Sequence, residues 1–144
     1  MKKNAHLGLP FFIFVLSLNC GAARADVVAV VSAKGQVCAL TRHQVSDIFL
    51  GKTVRFANGE IATPIDLPDG SAERDEFYAK FAGRSEAQIR AYWASMVFTG
   101  RGRPPREAQD DDEMKNLLDN DPYAIGYIER DKVDDRVRLC KDIK

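Results

Sequence analysis

The sequence is poor in the residues on which metal and nucleophilic chemistry draw. It has two histidines, of which only His43 lies beyond the first 25 residues. Its cysteines are Cys20, Cys38 and Cys140, with no Cys-x-x-Cys spacing, so a Cys/His zinc site has no ligand set. There is no Gly-rich dinucleotide fingerprint and no P-loop. No nucleophile–base pair stands at a useful spacing, which leaves a hydrolase without support. A surplus of positive charge is also missing, since 21 Lys and Arg face 21 Asp and Glu. The first 25 residues hold Lys2, Lys3 and Arg24 and no carboxylate, so the remainder carries three more acids than bases. An acidic body lacks the cations that neutralise phosphates, which excludes a general nucleic-acid binder. The apolar run Leu7–Leu18, interrupted by Gly8, Pro10 and Ser17, falls short of the about 20 residues of a membrane-spanning helix.

What is present is globular. Of 144 residues, 45% are hydrophobic and 29% charged, which suits one folded domain rather than a disordered chain. The N-terminus has the three parts of a secretory signal: Lys2 and Lys3, the short apolar run, then Ala23-Arg24-Ala25 before Asp26. Residues 1–25 are therefore read as an export signal cut near Ala25, and 26–144 as the mature domain, periplasmic or secreted. Lipidation at Cys20 is disfavoured, because Ser17 and Asn19 occupy places where a lipoprotein signal carries a large aliphatic and a small residue. Cleavage leaves Cys38 and Cys140, an even count that in an exported chain suggests a disulfide. Two buried free thiols are the alternative.

Along the mature chain, Val27 to Val31 is continuously apolar and β-branched, the pattern of a strand covered on both faces. Thr41 with Gln44 forms a capping box for a helix to about Leu50, stopped at Gly51. Asn58-Gly59 marks a turn before a strand at Ile61 to Ile65. Ser71 caps a helix with Phe77, Tyr78 and Phe81 inward and Gly83 at its end. Ser85 and Gln88 cap another, whose stripe of Ile89, Tyr92, Trp93, Met96 and Val97 reads as core. Thr99 to Arg106 is a Gly/Pro/Arg loop, and 110–118 a helix with an acidic first turn that suits the positive end of its dipole. Strands follow at Ala124 to Ile128 and Arg136 to Cys140. The order predicts an α/β fold with a mixed, mainly parallel sheet covered by helices.

One segment combines the features of an anion site. In Asp66-Leu67-Pro68-Asp69-Gly70-Ser71 a strand ends, a glycine permits a tight turn and a serine opens a helix. The unpaired amides of Ala72, Glu73 and Arg74, the helix dipole and the Ser71 hydroxyl could then face a small anion, with Arg74 adding charge. Arg101, Arg103 and Arg106 are a second candidate, because guanidinium forks match carboxylates and phosphates. His43 reads as a surface residue, and no cofactor is implied.

Read together, these segments resemble a known family. Leu40, Gln44, Val45 and Asp47-Ile48-Phe49-Leu50-Gly51-Lys52 resemble a signature of the phosphate-binding proteins of ABC transporters, the PstS-like family. Asp69-Gly70-Ser71 is similar to that family's phosphate loop, and Ala124-Ile125-Gly126-Tyr127-Ile128 to its A-I-G-Y strand. Residues 92–105 are similar to small exported proteins labelled as phosphate transporter substrate-binding proteins. The resemblance implies one lobe of a type II periplasmic-binding-protein-like fold, non-enzymatic, with a small anion held at Gly70, Ser71, Ala72, Glu73, Arg74 and Arg101. The chain departs from the pattern at the loop. Asp66 and Leu67 stand where the family has an arginine, and Ala72 and Glu73 where it has glycine and threonine. The other reading the sequence supports is an interaction module that has lost solute binding. Such a module would pair with an exported or membrane protein or with itself, through an exposed apolar patch near Phe98 or Phe56.

Overall fold

The computed structural model describes residues 25–142 apart from Cys38. The expected export signal, except for Ala25, falls outside the described residues, as does Cys38, one partner of the expected disulfide. The elements run β1 (Val27–Ser32), β2 (Ala39–Leu40), α1 (Arg42–Phe49), β3 (Thr63–Asp66), α2 (Ala72–Ala82), α3 (Glu86–Phe98), β4 (Arg106–Glu107), α4 (Asp111–Asn120), β5 (Ala124–Glu129), a short 3-10 turn (Arg130–Lys132), β6 (Val137–Leu139) and β7 (Lys141–Asp142).

The five-stranded sheet has the order β4-β3-β5-β1-β6. β1 pairs antiparallel with β5, from Val27 opposite Glu129 to Val31 opposite Ile125, and antiparallel with β6. β3 runs parallel to both β4 and β5. Four strands thus share one direction and β1 opposes them, which is the mixed, mainly parallel sheet expected. Every residue of β1 is buried, as its unbroken apolar run requires. β2 and β7 form a separate two-residue parallel ladder.

The helices begin where their caps predict. Thr41 and Gln44 bond reciprocally at the start of α1, and Ser85 and Gln88 do so at α3. Ser71 caps α2, and Gly83 ends it in the left-handed conformation. Helix packing centres on stacked rings: Phe77 lies 4.0 Å from Tyr127 at 6°, and Phe49 meets Phe77 edge-on at 4.6 Å. Gly126 has a steric reason to be glycine. A Cβ there would sit 2.5 Å from Met114 Sδ and 3.2 Å from Leu118 Cδ1, so its absence lets α4 close onto β5.

The structure corrects several boundaries. The strand expected at Ile61 to Ile65 is Thr63–Asp66, and the hairpin before it shrinks to one bridge between Arg55 and Ile61. The Asn58-Gly59 turn closes locally, with Gly59 N donating to Phe56 O and Glu60 N to Asn58 Oδ1, which leaves no length for a ladder. Phe56 is buried, so it cannot serve an exposed patch. Val97 points outward, because Ile89 and Trp93 already occupy the inward line of α3. β4 emerges from the Gly/Pro loop only after Pro105, the first point at which the chain can add amide donors continuously beside β3. Among the described residues no helix is long and apolar enough to cross a membrane.

Candidate functional site

β3 delivers Asp66 to the parallel end of the sheet, and the chain turns there into α2. Gly70 has a φ of 86°, which a residue with a Cβ rarely adopts, and Ser71 N donates to Pro68 O at 3.1 Å. Ser71 Oγ accepts from Arg74 N at 3.3 Å. The hydroxyl is thus first a helix cap. Ala72 is exposed, and Glu73 is half-buried.

Arg74 does not face solvent as an anion donor would. It is buried and lies over the Tyr78 ring at 5.2 Å. Its Nε donates to Asp66 Oδ2 at 3.3 Å and its Nη1 to Asp69 Oδ1. Asp66, itself only 2% exposed, collects four donors. Tyr78 Oη donates to Oδ2 at 2.7 Å, Leu67 N to Oδ1 at 3.0 Å, and Tyr127 Oη to Oδ1. Burial first, and the Asp66 charge second, push both tyrosine hydroxyls above their ordinary ionisation range. Burial is the largest single influence and works against the Arg74 charge, but Asp66, Tyr78 and Tyr127 together outweigh it and hold the guanidinium more firmly protonated. This network is a satisfied buried ion pair with two hydroxyl struts.

The charge of Arg74, expected to face an anion, is engaged within the loop by Asp66 and Asp69. Asp66, Asp69, Glu73 and Asp75 outnumber Arg74 and Arg90, whose Nε lies 3.3 Å from Asp69 Oδ2. Lys132 approaches Glu73 only at 3.9 Å and is held closer by Asp111 at 2.6 Å and Glu129 at 3.3 Å. The loop therefore keeps a helix N-terminus but surrounds it with excess negative charge.

Gly70, Ser71, Ala72, Glu73 and Arg74 come together as expected, whereas Arg101 does not join them. Arg101 is exposed beyond the end of α3, its amide donating to Met96 O at 2.9 Å. The adjacent Gly102 packs on Met96 and Trp93. That loop borders a cavity of about 300 Å³ with Gly51, Val54, Thr63 and Trp93, at the end of β3 opposite Asp66. Among the exposed apolar side chains, Val54, at 66%, lines this cavity, and the others include Phe98 at 91%, Ile61 at 56% and Val97 at 54%. A second cavity of about 320 Å³ lies over β1, with Val28, Val45 and Phe81 inside and Arg42, Lys80 and Lys141 around it. The sequence reading missed both cavities, because each is assembled from segments far apart in the chain.

The remaining candidates are structural. His43 is exposed and faces Asp47 at 3.1 Å. Asp110 Oδ1 accepts from Glu113 N, and Asp111 and Asp112 pair with Lys132 and Arg136, so the acidic run serves a helix start. Among the described residues no cluster of three or more His, Cys, Asp or Glu is arranged to hold a metal ion.

The fold has clear relatives among solved structures. A protein from Clostridium perfringens, assigned as a phosphate ABC transporter substrate-binding protein with bound phosphate, superposes with a TM-score of 0.65 at 22% identity, over 81% of this chain and 44% of its own. An ABC-type phosphate transport receptor from Vibrio cholerae gives 0.63 at 18% identity, over 80% and 45%. The fold is that of one lobe of a phosphate-type substrate-binding protein. PstS from Borrelia burgdorferi also matches, with a TM-score of 0.56 at 10% identity, over 81% of this chain and 47% of its own. The chain spans less than half the length of each of these relatives. No family model and no curated protein matches the sequence.

Proposed function

We propose that the chain is an exported, non-enzymatic interaction module built on a substrate-binding lobe, which engages a protein partner rather than holding orthophosphate at its 66–74 loop. The observation that carries this reading is the capture of Arg74 by Asp66 and Asp69, which spends internally the cation an anion site needs. At the opposite end of β3 the exposed Val54 shares a cavity with Arg103, and Phe98 and Ile61 are further exposed apolar side chains that a partner could cover. That chemistry suits an apolar partner surface rimmed by carboxylates, on another exported or membrane protein. Export itself is read from the pattern ending at Ala25.

A second reading is favoured by the phosphate-bound relative. In it, the amides of Ala72 and Glu73 with Ser71 still hold a small, weakly charged anion. Isothermal titration with phosphate and sulfate at low salt separates the two. The first reading expects no heat at millimolar anion, together with a photo-crosslink from position 98 to an envelope protein. Micromolar phosphate binding that disappears in Ser71→Ala would overturn it and establish the second.

A further inference from the structure

We propose that the cavity over β1 binds a small amphipathic carboxylate, an anion with one carboxyl group and an apolar tail. The site shares no lining residue with the cavity at Trp93 and none with the 66–74 loop. Its interior is apolar, with Val28 from β1, Leu40 from β2, Val45 from α1, Phe81 from α2 and Leu139 from β6. Its rim is cationic. Arg42, Lys80, Arg130 and Lys141 all line it, and among the described residues no acidic side chain does. The 26–144 body carries three more acids than bases, so four cations around one cavity run against its composition.

Local structure sets the two chemistries side by side. Arg42 opens α1 at the surface, and Val45, three residues on and so on the same helix face, is buried. Lys80 Nζ lies 5.8 Å from the centre of the Phe81 ring, so a cation adjoins an apolar wall. The rim already recognises one carboxylate. Asp26 Oδ1 accepts from Lys80 Nζ at 3.2 Å, and its Oδ2 accepts from Arg130 Nε. These bonds, the one from Arg130 foremost, hold the Asp26 carboxyl below its ordinary range. Among the described residues no carboxylate pairs with Arg42 or Lys141. The Arg42 guanidinium offers the fork that a second carboxylate fits, with Val45 and Phe81 left to cover a tail.

The volume limits that tail. About 320 Å³ stands at the lower end of the about 300–1,000 Å³ typical of ligand pockets, which suits a short single chain and not a two-chain lipid. Each methylene taken from water should strengthen binding about fourfold until the cavity is full.

The test titrates the full purified chain with butyrate, hexanoate and octanoate in a calorimeter at low salt. Octanoate should bind one to one, with affinity falling about fourfold per methylene removed. Octanol, with the same tail and no charge, should bind about tenfold more weakly, and Arg42→Glu combined with Lys141→Glu should weaken octanoate by about the same factor. Both positions are exposed, as is Leu139, whose replacement Leu139→Glu should abolish binding by placing a carboxylate on the ligand's path. Arg103→Glu, at the other cavity, should change nothing. No heat at millimolar octanoate would overturn the proposal, as would affinity indifferent to chain length or equal for octanol. Loss of binding in Arg103→Glu would overturn it too, by placing the anion at the other cavity. The chain-length series needs no variant, so it decides even where a substituted chain does not fold.

Discussion

Replacing Asp66 with Asn tests the central claim that the loop is a closed ion-pair network. The substitution keeps the shape and removes the charge. With the amide oxygen placed at Oδ1, the bonds from Tyr127 Oη and Leu67 N survive. The amide nitrogen then faces Tyr78 Oη and Arg74 Nε, which were 2.7 and 3.3 Å from the lost oxygen. Tyr78 can rotate its hydroxyl to accept, but Arg74 Nε can only donate. A charged hydrogen bond is worth about 1.5–3 kcal/mol, and weakening the tyrosine bond adds about 1 kcal/mol. A loss of about 2.5–4 kcal/mol follows, overlapping the range seen when one partner of a buried pair is removed. That is a large share of a typical stability of about 5–15 kcal/mol. Urea unfolding followed by Trp93 fluorescence should show a midpoint lower by about 2 M with an unchanged slope. Asp69→Asn should cost under about 1 kcal/mol, because that side chain is 47% exposed. If Asp66→Asn is as mild as Asp69→Asn, Arg74 does not depend on Asp66 and the network argument fails.

Three further outcomes are expected. Tyr78 and Tyr127 ionise above their unfolded value because burial, then Asp66, favours the neutral hydroxyl. Their contribution is therefore complete below about pH 10 and is lost as pH rises beyond it. Phenolate absorbance near 295 nm should show both tyrosines silent in the native protein and titrating only in urea; four native tyrosines ionised by about pH 11 would contradict this. Gly126→Ala should destabilise by about 1–3 kcal/mol in chemical denaturation, because the new methyl meets Met114 and Leu118, both fully buried. Asp69→Asn combined with Glu73→Gln removes two carboxylates from the loop, and phosphate binding should then appear in the millimolar range by calorimetry. Silence in that variant would show that charge alone does not close the site.

The sequence announces most of this fold, because its signals are local. Thr41, Ser71, Ser85 and Gly83 act within a few residues of themselves, and the β1 run declares its burial through composition. The two-residue strands β2, β4 and β7 are too short to carry a period and exist only because a neighbour supplies hydrogen bonds. The candidate loop was legible as geometry and illegible as electrostatics. Nothing in the spacing of Asp66, Arg74, Tyr78 and Tyr127 says that they converge. A buried aspartate ending an apolar strand is a hint, but only the parallel pairing of β3 with β5 brings Tyr127 beside it. The separation of Arg101 from Ser71 is illegible for the same reason, since the 13-residue helix α3 stands between the two segments.

The magnitudes decide what the loop can do. A helix N-terminus stabilises an anion by about 0.3–1 kcal/mol at the surface, and by up to about 2 kcal/mol when partly buried. Against that, each like-charge pair held about 5 Å apart costs about 3 kcal/mol at the effective dielectric of a protein surface. A phosphate at Ser71 would approach Asp69 and Glu73, and could win Arg74 only by displacing Asp69 from it. It would then leave Asp66 buried with one cationic partner shared between two anions. Asp66 and Asp69 thus occupy, as permanent internal anions, the role a bound ligand would otherwise take. The buried pair of Asp66 and Arg74 is therefore complete without a solute.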